Sequence, residues 1–421
     1  MKTIEIKQGI KLHLIKTDKF KTNLIAVFLT TPLSKTTVTK NALIPAILRR
    51  GSGVLQTQSE IGKALEEMYG ASFDCGIDKI GNNQVIKFYL ESINNEYIPE
   101  NEDNFQKSLN LILDIIFNPL IENNSFKKEY IDSEKNNLKQ IIEGRKDSKA
   151  KYALERCVEE MYGEEPYSLY KLGKIEDLAH INEVNLFEYY KELIKKCKID
   201  TYVSGDIDEK IQESIIKNNN IKSLEERIPN YVINNIDTRK KYEQKEKQIE
   251  EKMDIAQGKV VIGLDILNES TNDKYIALIY NAILGGTPNS KMFQNVREKN
   301  SLAYTASSSY LRQKANIFIR CGIEIDNYEK AVKLIKEQIE DMKNGKFTEE
   351  DIIQAKTNII STIRMLPEEQ DTELVYYFSQ ELSGYEMGYE EYINKINSVS
   401  MQEIVDLANR IQVNTIYFLR N

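Results

Sequence analysis

Residues 42–48 read ALIPAIL, and a close copy, ALIYNAIL, stands at 277–284 in the same position within a similar order of elements. The segments beginning at Phe126 and at Phe347 likewise share length and helix-forming character. A repeat of about 220 to 235 residues is far longer than one solenoid unit, so the chain is predicted to hold two related domains, each closing its own core.

In the first half, Ile10 to Ile15 and Asn23 to Leu29 read as strands, the second ended by Thr31 and Pro32. A helix is expected through 41–48, with Pro45 near its start, where a missing N–H has no partner to lose. Val85 to Leu90 reads as a strand. Leu109, Ile112, Leu113 and Ile116 make one apolar face of a helix over 105–117, and a second long helix is expected over 126–143. The second half repeats the plan. It has a strand at 260–264, a helix at 275–284 and an alternating strand at 317–323. The helical stripe of Val332, Ile335, Ile339 and Met342 is ended by Gly345, and Thr348 with Asp351 caps the next helix. The expected division is an N-terminal repeat at 1–218, a charged linker at 219–257 and a C-terminal repeat at 258–421.

Composition narrows the function classes. Hydrophobic residues are 41% and charged residues 29% of 421, the balance of a folded, helix-rich protein. Acidic and basic residues are interspersed and the net charge is −8, so no phosphate-neutralising stripe exists and nucleic acid is not an expected partner. No apolar run approaches a membrane span, and Met1 to Gly9 lacks the apolar core of a signal peptide, so a cytoplasmic location without membrane association is expected. Cys75, Cys157, Cys197 and Cys321 are scattered, which argues against a disulfide framework or a sulfur-ligated zinc site.

The segment 285–308, GGTPNSKMFQNVREKNSLAYTASS, resembles the signature of the pitrilysin and mitochondrial processing peptidase family of zinc peptidases. The likeness extends to EMYGAS at 67–72, to the segment at 160–193 and to SGDID at 204–208, and so covers nearly the whole chain. The resemblance implies an α+β fold. Two homologous α/β-sandwich repeats, with helices packed on mostly antiparallel sheets, would form half of a clam-shell around a peptide chamber. A chain of this length is similar to the unfused class, which implies a second, homologous subunit.

In that family an inverted HxxEH on the first long helix binds zinc, with a distal Glu on a later helix. Two His one helical turn apart reach one metal, and the Glu acts as general base on its water. Aligned on Arg50-Gly51-Ser52, the corresponding positions here are Ala42, Pro45 and Ala46. In EKNNLKQI, Glu134 takes the earlier acidic position and Ile141 the ligand position. The resemblance therefore predicts no metal or cofactor in this chain, no catalytic residue and no activity on its own. Glu134 is read as a solvated helix charge, His13 as lying on the polar face of a strand between Leu12 and Leu14, and His180 as a loop residue ahead of a helix.

Arg297 and Tyr304 match the two second-half side chains that active relatives use on the substrate, where guanidinium and phenol donors meet a peptide carbonyl and its oxyanion. Gly285 and Gly286 lie beside the substrate in relatives. Their local reading is a helix C-cap and tight turn, since neither a GK[ST] nor a G-x-G-x-x-G pattern accompanies them. The expectation is a non-catalytic subunit that brings Arg297 and Tyr304 to the zinc of an HxxEH-bearing partner acting on unfolded peptide. The alternative is a peptide-binding or structural scaffold outside proteolysis. A homodimer is compatible with either when the chain is alone.

Overall fold

The computed structural model describes residues 1–100, 102–233 and 245–421. Two compact units emerge. Unit 1 contains Met1–Glu143, Leu169–Val232 and Gln370–Val375; unit 2 contains Gly144–Ser168, Ile233–Glu369 and Tyr376–Asn421.

Unit 1 is built on the strands β1 (Lys2–Lys7), β2 (Ile10–Lys16), β3 (Thr22–Pro32), β4 (Ser72–Ile80) and β5 (Asn83–Ile93), with β8 (Lys198–Gly205). They form one sheet in the order β1-β2-β8-β3-β5-β4, in which only β2 and β8 pair in parallel. A short hairpin, β6 (Ile121–Glu122) with β7 (Ser125–Phe126), stands apart. Helices α1 (Val38–Leu48), α2 (Gln58–Glu67), α3 (Asn104–Phe117) and α4 (Lys128–Glu143) accompany the sheet. Leu43, Ile44, Leu109, Ile112 and Ile116 from the helices share one core with Leu12, Ile25, Val27 and Leu29 from the strands.

In unit 2, β10 (Gly258–Ile266), β11 (Ala303–Leu311), β12 (Asn316–Ile323) and β13 (Ile411–Arg420) join β9 (Lys247–Lys252) in the order β11-β12-β10-β13-β9. Again one pair is parallel, β13 with β9. The order β2-β8-β3-β5-β4 of the first sheet therefore recurs as β9-β13-β10-β12-β11, with the parallel pair at the same place. Both sheets are mostly antiparallel, helices pack on both, and the α+β class implied by the sequence is the observed one.

A helix that precedes the expected boundary belongs to the second core. Helix α5 (Lys149–Tyr162) packs Tyr152, Ala153, Cys157 and Tyr162 against Val261, Phe318, Tyr417 and Leu419 of the unit 2 sheet. Gly263 makes this approach possible: a Cβ there would lie 2.7 Å from Met161 Sδ. Conversely, Gln370 is tied to unit 1, where its Nε2 donates to Thr22 O at 3.2 Å and Ser204 O at 3.1 Å.

Several local readings differ from the structure. Pro45 is the eighth residue of α1, near its end. An interior proline removes a helical hydrogen bond and costs about 3 kcal/mol, and the burial of Leu43, Ile44, Ile47 and Leu48 around it supplies the offset. Phe126 belongs to β7, and the helix begins at Lys128. Lys247–Lys252, within the expected linker, forms β9 because Ile249 packs on the α5 cluster while Glu251 accepts from Tyr152 Oη at 2.6 Å and Tyr417 Oη at 2.7 Å. Positions 234–244 of that linker lie outside the described residues.

His13 is not on a polar, solvated face. It is fully buried, with Nε2 3.1 Å from Asp200 Oδ1, Nδ1 3.0 Å from Thr3 Oγ1, and its ring stacked on Tyr202 at 4.1 Å. The reason is its strand's place inside the sheet: β8, alongside it, is buried along its whole length. His180 is exposed between two helices, as read.

The capping signals hold as read. Thr348 and Asp351 exchange backbone-to-side-chain hydrogen bonds at 3.2 and 2.8 Å, and Gly345 takes a φ of +66°. Among the described residues no helix is long and apolar enough to cross a membrane, and all four cysteines are free.

Candidate functional site

Ala42, Pro45 and Ala46 on α1 and Ile141 on α4 open onto one cavity of about 920 Å³ in unit 1. Three neighbours on α1 and the distant Ile141 thus line one cavity, with Asp74 to Asp78 of β4 also lining it. What they hold is methyl groups, a pyrrolidine ring and an alkyl chain. Zinc needs three or four N, O or S donors, and these residues offer none. Among the described residues no group of three His, Cys, Asp or Glu side chains could hold a metal ion. The residues present therefore do not fit the zinc that an HxxEH motif binds.

Glu134 differs from its sequence reading as a solvated charge. It is 8% exposed, and Arg50 Nε donates to its Oε1 at 2.6 Å while Asn137 Nδ2 donates to its Oε2 at 3.1 Å. Arg50 Nη2 also donates to Ser133 Oγ at 3.2 Å. The carboxylate is thus engaged on both oxygens by groups from its own surroundings.

Two further polar groups of the cavity, Asp78 and Cys75, are also engaged. Asp78 accepts from Lys87 at 2.5 Å and Lys171 at 2.9 Å; burial works against its ionisation, but the two ammonium groups outweigh it and hold its pKa below the usual carboxylate range. Cys75 Sγ donates to Pro45 O at 3.4 Å, and burial pushes its thiol up to about 11, which leaves it protonated at neutral pH. No activated nucleophile or acid/base pair results. What the cavity offers instead is surface to hold a chain: β4 ends the sheet, so one edge of its backbone is unpaired among the described residues, and at Gly76 an added Cβ would meet open space.

This wall was missed in the sequence, although Phe73, Cys75 and Ile77 alternate as a strand should. The two glycine-punctuated residues, Gly76 and Gly81, interrupt the pattern. Lys171 and Arg50 carry no local signal because Asp78 and Glu134 lie 93 and 84 residues away, and Lys87 reaches Asp78 only once β4 and β5 have paired.

Unit 2 holds the other expected residues. Gly285 and Gly286 do not end a helix as a cap; they continue it in a π-helical turn, Ala282–Gly286. A Cβ on Gly285 would lie 2.7 Å from Ser308 N, so close packing of the turn on β11 accounts for the glycine. Arg297 lies on the π-helical segment Met292–Lys299, its guanidinium 4.6 Å from the Phe293 ring centroid and its Nε 3.4 Å from Glu298 Oε1. Tyr304 stands on edge strand β11 at the bulge between Ala303 and Thr305, which turns its side chain outward. It is 60% exposed, and its Oη donates to Glu324 Oε1 at 3.3 Å. Neither side chain is part of the hydrophobic core.

The comparisons with known proteins agree with this architecture. The family described as "Peptidase M16 inactive domain" matches residues 180–359. A Bacillus subtilis (strain 168) protein described as a probable inactive metalloprotease, YmfF, is 34% identical over 414 residues, 98% of this chain and 96% of its own length. Among solved structures, a conserved protein from Enterococcus faecalis V583 superposes with a TM-score of 0.90 at 27% identity, covering 100% of this chain and 98% of that one. The peptidase M16 inactive domain from Pseudomonas fluorescens follows the same fold with a TM-score of 0.80 at 16% identity, covering 100% and 98%. By its full-length likeness to the probable inactive metalloprotease and its match to the inactive-domain family, this chain belongs to the M16 peptidase family, on the inactive side of it.

Proposed function

We propose that the chain is a non-catalytic, peptide-binding M16 subunit that lends Arg297 and Tyr304 to the zinc site of a separate HxxEH-bearing M16 chain, in the cytoplasm. The observation that carries this reading is the exposure of the pair. Tyr304 is 60% exposed at a bulge and the Arg297 side chain 43% exposed, so neither is held by core packing and both can reach a bound peptide. A guanidinium and a phenol supply N–H and O–H donors to a carbonyl and its developing oxyanion, while the partner's metal supplies the hydroxide. The test mixes this chain with an HxxEH-bearing M16 chain and a short unfolded fluorogenic peptide. Chelator-sensitive cleavage is expected from the mixture only, falling by roughly 10²- to 10³-fold with Arg297→Ala; an Arg297→Ala rate equal to the native one rejects the role.

A second reading, peptide binding without any proteolysis, is favoured by the cavity beside β4. An extended peptide can add to an unpaired strand edge through main-chain hydrogen bonds. Fluorescence anisotropy of a labelled unfolded peptide with this chain alone separates the two. Binding by the isolated chain combined with no cleavage in any mixture supports the scaffold; the absence of binding rejects it.

A further inference from the structure

We propose that unit 2 carries a binding site for a phosphate-type oxyanion, formed by Lys274, Arg312, Tyr310 and Tyr385. These residues come from the helix Asp273–Asn281, the end of β11 with the turn after it, and the loop ahead of the helix Tyr389–Ser398. All of them belong to the same compact unit.

Two cations are held against one ring. Lys274 Nζ lies 3.7 Å from the Tyr385 ring centroid, and the Arg312 guanidinium lies 5.2 Å from the same ring and 5.5 Å from that of Tyr392. Neither cation forms an ion pair among the described residues. Asp273, the neighbour of Lys274, is claimed by Arg410 through bonds of 2.7 and 2.8 Å. Aromatic faces attract the two charges but accept nothing from N–H groups lying in the guanidinium plane.

Three hydrogen-bond donors of these residues are left over, Tyr310 standing two residues before Arg312 and within its electrostatic reach. Arg312 Nη2, Tyr310 Oη and Tyr385 Oη are buried and lack a hydrogen-bond partner among the described residues. Such groups carry the full desolvation cost unless an acceptor arrives. Lys274 also senses its cationic neighbours: burial first, then Arg312 and Lys395, brings its pKa down to about 8, while Glu269 and Asp273 act on Tyr310 from the other direction. Arg312, Lys274 and Tyr385 remain partly exposed, so a small ion can reach them. Two adjacent cations and three orphaned donors call for a ligand with several oxygens and more than one negative charge, which describes a phosphate better than a carboxylate.

The full-length protein is titrated calorimetrically with inorganic phosphate at pH 7.5, with chloride at matched ionic strength as control and phenyl phosphate as probe for a phosphorylated ligand. Saturable binding is expected for phosphate and not for chloride. The Lys274 pKa, read from its ¹³Cε resonance, should rise by about one unit or more in the complex. Tyr385→Phe removes only a hydroxyl and should weaken binding roughly tenfold, while Arg312→Gln should abolish it. Tighter binding of phenyl phosphate assigns the site to a phosphorylated ligand, and tighter binding of inorganic phosphate to the free ion. Equal responses to phosphate and chloride, or affinity that Tyr385→Phe and Lys274→Met both leave unchanged, overturn the site and leave the donors to water.

Discussion

Arg50 and Glu134 meet at 2.6 Å, Nε to Oε1, on the wall of the cavity that holds Ala42, Pro45, Ala46 and Ile141. An ion pair thus occupies part of the region to which family resemblance assigns metal ligands. Its energetics are testable. Glu134 is nearly buried, whereas 26% of the Arg50 side chain remains exposed, so solvent screens part of the interaction.

Removing one partner strands the other near an apolar wall. Glu134→Ala is expected to lower stability by about 1 to 3 kcal/mol, below the ~3 to 5 kcal/mol of a fully buried pair. The double variant Arg50→Met with Glu134→Leu should cost less than Glu134→Ala alone, because no charge is left unpaired. Urea denaturation of the single and double variants measures the difference; purely additive losses would contradict the pairing.

The positions that the family resemblance assigns to zinc ligands can be tested by putting the ligands back. Positions 42 and 46 lie one turn apart within α1, and position 141 lines the same cavity from α4. Installing Ala42→His, Pro45→Glu, Ala46→His and Ile141→Glu together should create a site with three side-chain ligands and a general base. Elemental analysis of the dialysed variant is expected to find about one zinc per chain. If it retains no more zinc than the native protein, helix and cavity have drifted from the arrangement the metal requires.

The sequence exposed the duplication because helix periodicity is local: the stripes in 105–117 and 332–342 appear in the structure as α3 and Tyr328–Lys343. That Ala42, Pro45, Ala46 and Ile141 line one cavity was not legible, since α1 and α4 are far apart in the chain. Illegible features depend on partners far away in the chain. Glu134 looked solvated because Arg50 lies 84 residues away, and His13 looked surface-bound because Asp200 lies 187 residues away. β9 was hidden by its charges, whose burial partners Tyr152 and Tyr417 flank it from opposite sides in sequence.

Arg297 and Tyr304 should be dispensable for folding. Both are exposed, and among the described residues their side chains engage Phe293, Glu298 and Glu324. Arg297→Ala and Tyr304→Phe are expected to change unfolding free energy by no more than about 0.5 kcal/mol, the usual range for surface positions. Thermal denaturation checks this. A loss of several times that amount would mean the pair is structural and would remove the argument that it is kept for a ligand.

Asp200 should govern the acid limit of unit 1. Burial alone would raise its pKa, but Lys198 and then His13 outweigh it and hold the carboxyl at about 2. In the unfolded chain an aspartate titrates near ~3.9. Between these values the unfolded chain takes up a proton that the folded one refuses, so the stability due to Asp200 is complete above about pH 5 and lost as pH falls through 4 toward 2. The gap corresponds to on the order of 2 kcal/mol. Asp200→Asn should therefore flatten the stability profile over that window, while also lowering stability at pH 7, where Lys198 would lose its carboxylate. Urea midpoints taken from pH 7 down to pH 2.5 for both proteins report the two effects separately. Parallel curves below pH 4 would show that Asp200 does not carry the acid sensitivity.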